Sequence, residues 1–192
     1  MSKVFVQPPE AAHDIDSAIS QTVEAYTSLS KDKVGALMVF ERANLLDEVI
    51  KTGTALDCAV SSELLKNLFW NKAPLHDGAV IVRNGRIVGA GCMRPLSGNT
   101  NLSRDRGMRH RAGIGMSEHS DAVVAIVSEE TGSVSVAVGG MLKRHLAPET
   151  LERLLRNELL PERANDEAAS NFKLGNLLRF GQGKKKDGTE NS

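Results

Sequence analysis

The chain of 192 residues is long enough for one domain with a sizeable core, and its hydrophobic fraction of 41% is ordinary for a soluble globular protein. Lys plus Arg and Asp plus Glu both total 24, so no net charge attracts nucleic acid or an anionic membrane, and any anion must be bound locally. The longest apolar run is far shorter than the roughly 20 residues of a membrane helix and no signal peptide opens the chain, so we expect a cytoplasmic protein without membrane contact.

The first predicted element is an amphipathic helix that ends at about Ser30. Asp14 and Asp16 are its candidate caps, and its apolar positions recur at helical spacing at Ala18, Ile19, Val23, Tyr26 and Leu29. We therefore assign residues 1–30 to a helix that packs on the main domain at residues 31–160.

Two apolar runs, Val34–Phe40 and Ala122–Val127, are typical of strands that are buried on both faces and lie centrally in a sheet. Between them, Ser61 and Ser62 can cap a helix from Glu63 to Trp70, which stops before Pro74.

Two hairpins and a last helix complete the predicted elements. Asn84-Gly85 supplies both positive-φ positions of a type I′ turn between residues 78–83 and 86–92. A second hairpin joins residues 133–138 to 141–146 through Gly139-Gly140, and Pro148 introduces a helix that runs to Leu159. Residues 94–106 read as a loop, and residues 161–192 as a flexible C-terminal tail.

The cysteines and histidines do not form a recognisable metal motif. Cys58 and Cys92 lack CxxC spacing and are expected to be reduced core thiols, and the five histidines show no paired spacing, so a structural zinc site is not expected.

Leu75-His76-Asp77-Gly78-Ala79 follows the second predicted helix and leads into a buried strand. Gly78 permits close backbone approach to a ligand, and the Asp77 carboxylate can bind a metal or a hydroxyl there. By itself the motif is also typical of an Asp that stabilises a turn. His76 can share a metal with Asp77 only where the backbone is irregular, since adjacent strand residues point to opposite faces.

Gly107-Met108-Arg109-His110-Arg111-Ala112 predicts the start of another helix. Its three basic residues project about 100° apart and could surround a bound group. Guanidinium groups and first-turn N–H donors match the oxygens of a triphosphate, although a solvated basic helix start has the same pattern. Ser128-Glu129-Glu130 closes a strand, where its side chains would reach the rim of an α/β sheet or simply form a polar turn.

These motifs together resemble the diadenylate cyclase (DAC) domain family, notably its CdaA type. The resemblance is carried by NKAPLHDGAVIV, by GxRHRA, by Gly113-Ile-Gly-Met-Ser-Glu118 and by IVSEETGSVSVA, and it extends from Val4 to about Leu159. It implies a single α/β domain with a central mixed β-sheet flanked by helices on both faces. It also implies condensation of two ATP molecules into cyclic di-AMP with release of two pyrophosphates, assisted by Mg²⁺, Mn²⁺ or Co²⁺.

The resemblance also implies roles for individual residues. The catalytic residues would be Asp77, Arg109, His110 and Arg111, and the metal ligands Asp77, His76 and Glu130. ATP would contact Gly78, Ala79, Met93, Leu96, Met108, Arg109, His110, Arg111, Ala112, Ser128 and Glu129. The product joins two identical nucleotides with twofold symmetry, so we expect a homodimer whose protomers face each other, with higher oligomers and regulatory protein partners left open.

Four departures from the family pattern leave alternatives open. Met93 and Arg94 stand where relatives of the CdaA type have Tyr and Leu, and Met108 replaces a frequent Thr, so the chain is either an active cyclase or a catalytically weak or inactive nucleotide-sensing module. Those relatives also carry membrane helices before a segment like Val4-Phe-Val-Gln-Pro. The chain is therefore either the catalytic region of a parent anchored at the inner face of the plasma membrane or a naturally soluble form.

Overall fold

The computed structural model describes residues 9–93 and 107–160, with side chains from residue 12 onward, and all of them fall in one compact unit. The helices are α1 Pro9–Lys31, α2 Asp47–Ile50, α3 Ser62–Phe69, α4 Met108–His119 and α5 Pro148–Leu159. The strands are β1 Ala36–Phe40, β2 Thr54–Ala59, β3 Ala79–Arg83, β4 Arg86–Cys92, β5 Val123–Val127, β6 Val134–Val138 and β7 Met141–Lys143.

The strands form one mixed sheet of seven in the order β2-β4-β3-β1-β5-β6-β7. Strands β1 and β3 run parallel with Met38 beside Val80, whereas β5 runs antiparallel to β1 with Val127 beside Ala36. The expected α/β fold with a central mixed sheet is thereby confirmed, and so is the central place of the two apolar runs, since β1 lies in the middle of the sheet beside β5.

Helices cover both faces of the sheet, as predicted. Alternate β1 residues divide between the faces: Met38 and its neighbours two positions away join a core under α1, α3 and α5, while Leu37 and Val39 pack beneath α4 and α2. The Tyr26 hydroxyl, buried under α1, donates a 2.8 Å hydrogen bond to the carbonyl of Ala125 in β5. Helix α1 is thus fixed to the centre of the sheet and belongs to the same compact unit.

Helix α4 packs closely on the sheet. Nearly all of its residues from His110 to Ser117 are buried, and a Cβ added at Gly113 would lie 2.6 Å from Cδ1 of Ile126 in β5. Glycine at this position therefore leaves room for the Ile126 side chain between helix and strand.

The predictions for the two hairpin turns and for the cap of α3 are confirmed. Asn84 and Gly85 have φ of 50° and 77°, as a type I′ turn requires, and Gly139 and Gly140 have φ of 55° and 78° in the second hairpin. Ser61 caps α3 by accepting a hydrogen bond from the Leu64 N–H.

Three expectations require correction. Helix α1 begins at Pro9, so Asp14 and Asp16 lie inside it and do not cap it; Pro is favoured in a first helical turn because its missing N–H is not needed there. Cys58 is only half-buried because β2 is an edge strand, whereas Cys92 is buried as expected; both are free thiols. The short helix α2 and strand β2 were not predicted.

Within the described ranges, none of the helices combines the length and the apolar character that crossing a bilayer requires. The predicted loop at residues 94–106 and tail at 161–192 lie outside the described residues.

Candidate functional site

The three polar motifs lie together along one side of the sheet, where the central strands begin or end; this edge means that row of strand ends and not an edge strand. The parallel strands β1 and β3 begin at this edge, and the antiparallel strand β5 ends there. In the β1–β3 pairing Met38 lies beside Val80, so the segment that carries Asp77 enters β3 next to the start of β1 at Gly35 and Ala36. Asp77 precedes β3, and Ser128 follows β5, so the topology brings together motifs that are far apart in the chain.

Asp77 lies in an irregular bend, and its side chain is exposed. The residue after it is pressed against strand β4: a Cβ added at Gly78 would lie 2.6 Å from Cα of Gly91 and 2.8 Å from N of Cys92. Gly78 is therefore required by the approach of β4, and not only by a ligand. This contact holds Asp77 at the entrance to β3, while Ala79 is buried and pairs with Cys92.

The His76 ring is oriented by a hydrogen bond to its own turn. Nδ1 lies 2.6 Å from the carbonyl oxygen of Ala73, which can only accept, so Nδ1 carries the proton and Nε2 keeps its lone pair. Metal-binding histidines commonly have this arrangement. The backbone at His76 and Asp77 is irregular, which is the condition under which both side chains can reach one ion.

A metal at this edge would rely on few protein ligands. Among the described residues, no three His, Cys, Asp or Glu side chains are grouped closely enough to hold an ion. Mg²⁺ is usually held by one or two carboxylates together with substrate phosphates, and the Asp77 carboxylate fits such a shared site, whereas the His76 imidazole suits a transition-metal ion better than Mg²⁺.

The amino terminus of α4 opens onto the same edge. Gly107 is its N-cap residue, and within the described residues no side chain caps the helix. The His110 and Arg111 N–H groups donate to the Gly107 carbonyl, so in the first turn the N–H groups of Met108 and Arg109 are the ones that lack an intrahelical acceptor and can face an anion. The Glu130 carboxylate lies beside this end, with Oε1 3.5 Å from the position that a Cβ on Gly107 would take. The helix start is therefore already near a negative group, as its dipole favours.

Arg109 places its guanidinium group at the edge. The side chain is only 11% exposed, and Nη1 forms an ion pair with Glu129. The guanidinium lies directly against Gly35, where an added Cβ would be 2.5 Å from Nη1 and 2.6 Å from Cζ. Within the described residues, Arg109 Nε is a buried donor without a hydrogen-bond partner, which suits a site that receives further oxygen anions.

The other two members of the Arg-His-Arg motif take different directions. His110 is 4% exposed, and its Nε2 lies 3.3 Å from Oγ of Ser135 in strand β6. Arg111 is exposed, whereas Ala112 is buried against the sheet. The helix thus brings Arg109 to the edge, directs His110 into the interior and leaves Arg111 on the surface, as about 100° per residue predicts.

Two methionines border the edge. Met93 is 72% exposed and Met108 is 66% exposed, although each follows or begins an ordered element. The Met93 N–H donates a 2.8 Å hydrogen bond to Oγ1 of Thr52, which fixes the backbone there. Leu96 lies outside the described residues.

Ser128 organises the turn after β5. Its Oγ accepts hydrogen bonds of 3.3 Å from the N–H groups of Glu130 and Thr131. These bonds fix the turn that carries the two glutamates. Glu129 forms its ion pair with Arg109 there, and the Glu130 carboxylate lies beside Gly107 at the start of α4.

The charge of Arg109 also influences the pKa of the buried Tyr26 hydroxyl. Burial raises the pKa of its hydroxyl well above the ordinary value, while a hydrogen bond from Met38 and the positive charge of Arg109 act in the opposite direction. Neither the contact of Gly35 with Arg109 nor the influence of Arg109 on Tyr26 was predicted. No local pattern marks them, because the proximity arises from the packing of α1, β1 and α4.

Comparison with known proteins gives consistent matches. The DAC family model, described as "DisA bacterial checkpoint controller nucleotide-binding", matches residues 23–142. Cyclic di-AMP synthase CdaA of Bacillus subtilis is 45% identical over 148 residues, which are 75% of this chain and 54% of that protein. A diadenylate cyclase of Mycoplasma genitalium is 46% identical over 116 residues, or 60% of this chain and 58% of that protein.

Solved structures agree with the fold. The crystal structure of a double mutant of DacA from Staphylococcus aureus has a TM-score of 0.73 at 42% identity and covers 76% of this chain and 97% of that one. A structure described as a hypothetical membrane spanning protein from Bacillus cereus has a TM-score of 0.64 at 44% identity, covering 67% of this chain and 63% of that one. The chain spans about half the length of the first curated relatives that it matches.

Proposed function

Because this chain belongs to the DAC family of nucleotide-binding domains, we propose that it condenses two ATP molecules into cyclic di-AMP and releases two pyrophosphates. The observation that supports this most directly is the shared sheet edge, where the Asp77 carboxylate, the Arg109 guanidinium and the open start of α4 occur together. A carboxylate beside an anion-binding helix end provides both a group for a hydroxyl or a metal and a group for phosphate.

Phosphate binding is assigned to the start of α4. The first-turn N–H groups and the Arg109 guanidinium bind the triphosphate oxygens, and exposed Arg111 adds a second positive charge. His110 supports this arrangement from inside, through its contact with Ser135. The turn of Ser128 forms a wall beside the nucleotide, and the buried backbone of Gly78 and Ala79 supports Asp77 from behind.

Asp77 is assigned to the attacking nucleotide. Its carboxylate accepts the proton of the 3′-hydroxyl or would hold the divalent ion together with His76 Nε2. Glu130 stays beside the start of α4 and is not assigned as a third ligand, because no three such side chains of the described residues are grouped closely enough to hold an ion. When bound, the ion, Mg²⁺, Mn²⁺ or Co²⁺, supplies positive charge to the departing pyrophosphate. The adenine packs on the exposed side chain of Met93, whose polarizable sulfur suits an aromatic ring.

The reaction requires two protomers. Each 3′-oxygen must lie in line with the α-phosphate of the other nucleotide, and a product with twofold symmetry fits two identical sites that face each other. The exposed side chains of Met93 and Met108 at the rim support a homodimer that closes over this edge. Because its substrate is ATP, we place the chain in the cytoplasm, as part of a protein whose other regions anchor it to the membrane.

A second candidate is a nucleotide-sensing module of the same fold. It is favoured by the Arg109–Glu129 ion pair, which already neutralises the proposed phosphate-binding guanidinium. The two functions differ in product: a cyclase converts ATP, whereas a sensing module binds it unchanged.

The test is incubation of the purified chain with ATP and Mn²⁺, followed by chromatography for cyclic di-AMP. Asp77→Asn should lower the rate about 10²- to 10⁴-fold, the usual contribution of a positioned acid or base. Asp57→Asn is a matched control, since Asp57 is also exposed and its ion pair with Arg86 lies on the edge strand β2. Full activity of Asp77→Asn would remove Asp77 from the mechanism, and ATP binding without product would favour the sensing module.

A further inference from the structure

Gly35 lies immediately before β1, where nothing in its own backbone demands glycine. It is buried, and it is not among the glycines with positive φ in the described part of the chain. An alanine could therefore adopt the same backbone conformation without strain. The reason for glycine at this position must come from a neighbour.

That neighbour is the Arg109 guanidinium. An added Cβ at Gly35 would lie 2.5 Å from Nη1, 2.6 Å from Cζ and 2.9 Å from Nε of Arg109, and these are the three nearest atoms. All three belong to the far end of a flexible side chain. The guanidinium can rotate away, so the clash would displace the charged group and leave the backbone in place.

We propose that Gly35 is a positioning residue for Arg109, whose guanidinium occupies the space that a side chain at residue 35 would fill. The flat group thereby lies against the start of β1, next to the strand β3 that Asp77 precedes, and is paired with Glu129. An arginine with little conformational freedom before binding loses little entropy when phosphate arrives. This role rests on the proposed function, because it serves the phosphate-binding arginine.

The first experiment is a double-mutant cycle of Gly35→Ala and Arg109→Ala, measured by formation of cyclic di-AMP. Gly35→Ala alone should lower kcat/KM about ten- to a hundredfold, which corresponds to losing one charge-assisted hydrogen bond. In the Arg109→Ala background the same change should alter kcat/KM by less than about twofold, because no guanidinium remains to displace. Wild-type activity of Gly35→Ala, or an equal loss in both backgrounds, would overturn the proposal.

A second measurement does not depend on cyclase activity. Phenylglyoxal modifies exposed arginines, and mass spectrometry reports the modification of Arg109 separately from the others. Arg109 is only 11% exposed, so its modification in the wild type should be slow, and Gly35→Ala should accelerate it several-fold. An unchanged rate would refute the displacement even if the chain made no cyclic di-AMP, so the failures of the two proposals are distinguishable.

Thermal unfolding completes the test. Gly35→Ala should unfold at or slightly above the wild-type temperature, because alanine lowers the entropy of the unfolded chain. If the variant fails to fold, adding Arg109→Ala should restore folding by removing the clash. A double variant that still fails to fold would show that Gly35 serves the backbone and would overturn the proposal.

Discussion

Replacing Gly78 with Ala should destabilise the fold, in contrast to the same change at Gly35. A Cβ at Gly78 would lie 2.6 Å from Cα of Gly91 and 2.8 Å from N of Cys92, and closer still to the carbonyl carbon of Gly91. Carbon atoms in good contact are about 3.5–4.0 Å apart. Since every clashing atom is backbone, strand β4 must move by about 1 Å or the entrance to β3 must.

The size of the effect follows from this geometry. Overpacking costs about 1–3 kcal/mol, and a clash with paired strands belongs at the upper end. The lower entropy of the unfolded chain returns up to about 1 kcal/mol, so we expect a net loss of about 2 kcal/mol. For a chain of this size, that loss lowers Tm by about 4–8 °C.

Differential scanning calorimetry of Gly78→Ala, Gly35→Ala and the wild type measures this difference directly. Gly35→Ala is the matched control, because its added methyl group meets only a flexible side chain. A Gly78→Ala variant that unfolds within about 1 °C of the wild type would show that β4 does not enforce glycine there. The glycine at position 78 would then have to be explained by the approach of a ligand.

The remaining predictions concern Arg109, Tyr26 and the two thiols. Arg109→Ala should raise KM for ATP and lower kcat in steady-state assays, and an unchanged KM would contradict its role in phosphate binding. Tyr26→Phe should cost about 1–3 kcal/mol in urea unfolding by leaving the buried Ala125 carbonyl without its 2.8 Å hydrogen bond, whereas an unchanged midpoint would show that the carbonyl finds another donor. Iodoacetamide should alkylate Cys58 before Cys92 at pH 8, as mass spectrometry can show, because burial raises the pKa of the Cys92 thiol and reduces its thiolate fraction; the reverse order would indicate that β4 opens readily.

Central strands and tight turns could be predicted because their signals are local. Strand β1 is an apolar run buried on both faces, and Asn84-Gly85 specifies its turn by backbone conformation alone. Strand β2 was not predicted. It is an edge strand whose residues are largely exposed, so its sequence carries no apolar pattern. Helix α2 has four residues, too few for a helical period to appear.

The candidate site could be predicted in composition but not in orientation. Asp77 and Arg109 are charged residues at element boundaries, so their chemistry can be predicted from the sequence. Parallel pairing places the entrance to β3 beside the start of β1, and the Arg109 guanidinium of α4 lies against Gly35 there. The inward direction of His110 depends on which side of α4 packs on the sheet, and a short polar motif does not specify that rotation. Gly35 was missed for the same reason: its importance comes from a guanidinium delivered by a distant helix.

The residue at position 113 influences the depth of the opening beside α4. Gly113 lies one turn beyond Arg109, and a Cβ there would be 2.6 Å from Cδ1 and 3.1 Å from Cγ1 of Ile126, so side chains of β5 fill the space under the helix at this point. A larger residue there would either displace the Ile126 side chain or lift the helix and carry its terminal N–H groups away from the strand ends. Substitutions in the interior could thus tune the span available to a triphosphate without altering any group that touches it.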